Sequence, residues 1–83
     1  MSDAKDIAQE KINSLRVKVG EHYKHFKGGE YEIVALAIQE DTLEPLVIYR
    51  SLMKGTTWSR TAKNFLEEVH RDGKTSKRFQ LIN

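Results

Sequence analysis

The residues with the widest chemical repertoire crowd into His22-Tyr23-Lys24-His25-Phe26-Lys27, just ahead of a Gly28-Gly29 pair. On a helix, His22 and His25 share a face at i, i+3 spacing; in an extended segment Tyr23 and His25 share one instead. A metal site needs more ligands than two imidazoles, with a supporting shell around them. No cysteine or carboxylate completes such a set, so no metal is expected. His25 could act as an acid or base, which makes a small histidine enzyme the last-ranked reading. Glu67-Glu68 is a carboxylate pair, but neighbours on a strand point to opposite faces and make a poor acid/base couple. Ser51, Ser59 and Ser76 have no base at a telling spacing, and the chain lacks both glycine-rich phosphate-binding patterns. A chain of 83 residues also offers little volume for a water-excluding site. The expectation is a non-catalytic protein without a cofactor.

Binding chemistry is better represented. Arg50 follows an apolar run and shares its strand face with Leu46, Ile48 and Leu52. A guanidinium there must reach water or an acid, because burying it unpaired is costly. It is either a rim arginine paired with an acid or a planar anion-binding fork. Trp58, the only tryptophan, stands two residues before Arg60, and either packs in the core or borders a ligand groove. Tyr23, His25, Lys27, Tyr49, Arg50, Trp58 and Arg60 thus form a candidate ligand-binding face of rings and cations. It would suit a peptide, a nucleic acid or a nucleotide-like ligand. Tyr23, Tyr49 and Trp58 could stack bases while Arg50, Arg60, Lys27 and Arg78 meet phosphates.

Charge limits that idea. The net charge of +2 divides into −3 over residues 1–46 and +5 over residues 47–83, with no basic run. Few cations would converge on one groove, so nucleic-acid binding is expected to be weak at best. The alternative is a structural role, with self-association through the N-terminal helix and an exposed strand edge, as a monomer or homodimer.

The elements that must carry these residues are mostly strands. Glu30 to Leu52 holds two apolar runs, rich in β-branched and aromatic residues, around the connector Gln39-Glu40-Asp41-Thr42-Leu43-Glu44-Pro45. This reads as a β-hairpin. In the first run Tyr31, Ile33, Ala35 and Ala37 would face one way and Val34, Leu36 and Ile38 the other, as befits a central strand. In the second, Val47, Tyr49 and Ser51 oppose Leu46, Ile48, Arg50 and Leu52. Ahead of the hairpin, Ala4, Ile7, Ala8, Ile12 and Leu15 make a thin stripe that predicts a helix over about Asp3 to Leu15, capped by Ser2 or Asp3. Val17-Lys18-Val19 alternates and ends at Gly20, as a short strand or an extended entry would. Beyond the hairpin, Thr57 to Arg60 is a short strand, and Thr61 caps one helical turn. Two further strands follow, Glu67 to Arg71 and Lys77 to Leu81, after a turn at Asp72-Gly73. The predicted architecture is mainly β: a small open barrel of about five strands. Residues 1–16 form a helical extension and residues 17–83 the barrel domain. Without cysteine or a membrane-length apolar window, the expected setting is cytoplasmic, with no membrane partner.

A resemblance accompanies this reading. Tyr23-Lys24-His25-Phe26-Lys27-Gly28-Gly29-Glu30-Tyr31, Val47-Ile48-Tyr49-Arg50-Ser51-Leu52, Trp58-Ser59-Arg60, Phe65, Asp72-Gly73-Lys74 and Arg78-Phe79 look like a family of small bacterial domains of unknown function. The resemblance covers about Val17 to Leu81 and implies an open β-barrel of the Src-homology type, with no established activity. The chain departs from the family pattern at three places. Gln39-Glu40 stands where members often have a histidine, Ser59 and Thr61 replace a valine and a proline, and Lys54-Gly55 replaces an acid. Any chemistry resting on that histidine and acid would be missing here.

Overall fold

The computed structural model describes residues 4–83. The expected caps Ser2 and Asp3 lie outside them. Helix α1 covers Ala4–Asn13, with Asp6 in the first turn, where the helix dipole favours an acid. It stops short of the expected Leu15 because the chain tightens there: Leu15 N–H donates to the Ile12 carbonyl at 3.2 Å. That closing turn delivers Leu15 and then fully buried Val17 to the core.

Seven strands follow α1: β1 (His22–His25), β2 (Glu30–Ile38), β3 (Pro45–Ser51), β4 (Thr57–Thr61), β5 (Glu68–Arg71), β6 (Lys74–Lys77) and β7 (Phe79–Leu81). Between β4 and β5 lies α2 (Ala62–Phe65), a single turn whose first orphan donors are met as expected: the Thr61 hydroxyl accepts from Asn64 N–H at 3.1 Å. Five strands form one antiparallel sheet in the order β4-β3-β2-β1-β7, and β5-β6 is a separate hairpin. The sheet is open, with β4 and β7 as its edges. The fold is mainly β, and β2, apolar on both faces, is its central strand.

Three local expectations need correction. Of the two readings of Val17–Val19 the short strand is the one that fails; Val17 drops into the core while Val19 stays 60% exposed, and pairing begins at His22. The last predicted strand divides, because Lys74–Lys77 pairs with β5 and Phe79–Leu81 turns away at Arg78 to pair with β1. In β2 the simple alternation fails. Ile33 pairs with Tyr49 but Ala35 pairs with Ile48, so Val34 is a bulge residue. One extra residue reverses the faces beyond it, and Leu36 instead of Ala35 joins Ile33 against the core.

The core lies on one sheet face, closed by α2. Its buried residues are Val17, Tyr23, Ile33, Val47, Tyr49, Ala62, Phe65 and Phe79. Phe65 and Phe79 stack at 4.1 Å between centroids, and Tyr49 and Tyr23 meet Phe65 edge-on at 5.5 and 5.1 Å. Edge-to-face rings of this kind add about 0.5–1.5 kcal/mol per pair beyond the area they bury.

Candidate functional site

Strand alternation and register decide which side chains meet. Tyr23 pairs with Tyr31, Ile33 with Tyr49, Tyr49 with Trp58, Val47 with Arg60, and His25 with Phe79. All of these therefore stand on the core face of the sheet. Toward one end of that face the packing opens into a cleft of about 170 Å³ lined by His25, Tyr31, Tyr49, Trp58, Arg60 and Phe79. Four of the seven residues singled out in the sequence, His25, Tyr49, Trp58 and Arg60, thus lie together.

Phe79 forms the floor. It meets His25 at 4.8 Å, Tyr49 at 5.3 Å and Tyr31 at 5.9 Å, each edge to face, and the Arg60 guanidinium lies 5.6 Å from its ring centre. Arg60 is held on two sides. Its Nε donates to the Tyr49 hydroxyl at 3.2 Å and its Nη1 to the Asn64 side-chain carbonyl in the capped turn. Both contacts are to neutral groups. The ion pairs among the described residues are Arg50–Glu32 and Arg78–Glu67, so the Arg60 charge is unbalanced at contact range.

His25 is fixed by the turn that follows it. Its carbonyl accepts from Gly28 N–H at 2.8 Å, its N–H donates to the Gly29 carbonyl at 3.0 Å, and its Nδ1 accepts from Lys27 N–H at 3.1 Å. A neutral ring accepting at Nδ1 carries its proton on Nε2. Burial holds the imidazole below the usual histidine range, and the charges of Arg60, Arg78 and Lys27 depress it further. Gly29 sits at φ +88, and a Cβ there would come within 3.4 Å of the Tyr31 ring. The turn thus needs glycine for its left-handed backbone, while the space beside the Tyr31 ring would admit a methyl in ordinary contact.

Trp58 is 53% exposed and forms the outer wall. The remaining candidates lie elsewhere. Arg50 projects from the opposite sheet face and pairs with Glu32 at 2.7 Å. Tyr23 is core; its hydroxyl donates to Glu21 at 3.0 Å, and burial with that carboxylate raises its pKa to about 12. Its ring borders a separate groove with Arg16, Leu66, Lys77, Phe79 and Leu81. Lys27 is exposed, its ammonium 5.7 Å from the Phe26 ring centre. Sequence reasoning missed Tyr31 and Phe79 as lining and Asn64 as the arginine's anchor. Tyr31 carried a signal, since it shares strand parity with Ile33; Asn64 carried none. Among the described residues no group of three or more His, Cys, Asp or Glu could hold a metal ion, and no helix is long and apolar enough to cross a membrane.

Comparison with known proteins adds a family. Residues 21–81 match the family model described as a protein of unknown function, DUF1653. No curated protein matches the chain. The fold is similar to the crystal structure of a DUF1653 protein from Bordetella bronchiseptica, with a TM-score of 0.70 and 24% identity over 83% of this chain and 92% of that one. That likeness carries the fold alone, but the family model spans well over half of the sequence, cleft included: the chain belongs to the DUF1653 family, whose function is unknown.

Proposed function

We propose that this chain is a non-catalytic binding module that recognises a peptide, a nucleic acid or a nucleotide-like ligand through its aromatic and arginine face. The observation that carries the reading is Arg60: a guanidinium oriented by two neutral partners, without a contacting carboxylate, above an aromatic floor. An arginine fixed in place but not neutralised is prepared for an outside anion or a planar group. The reading includes the fold as an open barrel of the Src-homology type and the setting as the bacterial cytoplasm. The test is amide chemical-shift mapping of the protein against pools of peptides, short oligonucleotides and mononucleotides. A pool should shift His25, Tyr49, Trp58 and Arg60 together, and Arg60→Ala should remove the effect while the spectrum stays dispersed. Shifts that avoid the cleft with every pool would overturn the reading.

A second reading, self-association, is favoured by β4. It is a sheet edge, and Trp58 upon it, with Leu52 and Met53 just before, exposes apolar surface. Unpaired edges of this kind template pairing with another chain. Sedimentation velocity across a concentration series would detect a dimer, and Ser59→Pro on the edge would abolish it.

A further inference from the structure

We infer that the cleft takes the phosphate of a nucleoside monophosphate, with the base against Trp58. This rests on the binding-module reading and names its ligand class. The first argument is the hydrogen-bonding character of the lining. His25 presents a donor at Nε2, since Nδ1 already accepts from the Lys27 backbone. Arg60 has Nη2 unspent among the described residues, and the Tyr49 hydroxyl, which accepts from Arg60 Nε, keeps its own hydrogen to donate. No carboxylate lines the cleft. A wall of donors without a charged acceptor selects an anion with several acceptor oxygens, and a phosphate monoester has three.

The second argument is the surrounding field. Lys27 and Arg78 act on His25 together with Arg60, so the cleft sits in a local excess of positive charge. Arg78 is only partly satisfied; its Nη2 meets Glu67 at 3.2 Å while its buried Nε has no partner. The third argument is size and shape. A volume of about 170 Å³ admits one compact group, and half-exposed Trp58 at the mouth offers a face on which a base can stack. A polymer fits less well, because Arg50, which could continue a cationic track, is on the far face and already paired with Glu32.

Trp58 is the only tryptophan, so its emission reports on this site alone. The wild-type protein is titrated with each nucleoside monophosphate, the matching nucleosides, inorganic phosphate and a phosphotyrosine peptide. At least one monophosphate should quench Trp58 with a half-saturation at least tenfold below that of its nucleoside. Inorganic phosphate should compete, and Arg60→Gln should weaken the monophosphate at least tenfold. Equal binding of nucleoside and monophosphate would overturn the inference without any variant. So would a phosphotyrosine peptide binding tenfold more tightly than every mononucleotide, or a phosphate-free ligand filling the cleft; both would leave the binding-module reading standing. If no class of ligand reaches the cleft, both readings fall.

Discussion

Trp58 and Phe65 show how differently two aromatic side chains of one small domain can be used. Trp58 is half exposed on an edge strand, so Trp58→Ala should cost less than about 1 kcal/mol in a urea titration. Phe65 is 1% exposed and stacked on Phe79, so Phe65→Ala should cost about 3–5 kcal/mol, which a domain of this size barely survives. His25 makes a pH prediction. Its folded pKa lies below the unfolded value, so the unfolded chain takes up its proton first as pH falls. The contribution is complete above about 6.5 and is lost as pH drops through the folded pKa. Thermal unfolding from pH 7.5 down to 5 should fall more steeply for the wild type than for His25→Gln. Part of the site could be read from residue order. Tyr49 and Arg50 are neighbours on a strand and cannot share a face, which already separated Arg50 from the tyrosine it was grouped with. The coincidence of His25 with Arg60 could not be read, because it depends on how β1, β7 and β4 stand across the sheet.

At the scale of elements, the hairpin, the capped turn at Thr61 and the Asp72-Gly73 turn were all legible, because each is written in local chemistry: β-branched runs, a hydroxyl before a helical turn, and a pair at φ 51 and 75. The bulge at Val34 was not, since nothing in Ile33-Val34-Ala35 distinguishes an unpaired valine from a paired one until β3 sets the register. The Gly28-Gly29 turn is the most sensitive short element. Gly29→Ala should cost about 1–2 kcal/mol for the left-handed backbone in a urea titration. Helix α1 is more dispensable. Ile7 is 40% exposed, and only Leu15, past the helix end, packs on the core cluster. A chain of residues 17–83 should keep its strand circular dichroism and melt at a lower temperature; an unfolded product would make the helix part of the core.

Across the whole molecule, the charge asymmetry predicts modest dealings with polymers. A labelled single-stranded oligonucleotide should bind in the micromolar range or more weakly at physiological salt, with a shallow salt dependence in fluorescence anisotropy, because few cations share a face with the cleft. The ring cluster has a further consequence, and it concerns time. Its members come from β1, β2, β3, α2 and β7, and among the ring contacts that join Tyr23, Tyr49, Phe65 and Phe79 none is nearer in sequence than Phe65 with Phe79. No contiguous fragment holds enough of the array to stay collapsed by itself, and Phe79 must travel back to β1 before the last gaps close. Refolding should therefore be a single slow exponential of roughly milliseconds to seconds, as loop closure over long spans demands. A single proteolytic cut before β7 should release the whole cluster at once instead of leaving a nicked but folded remnant.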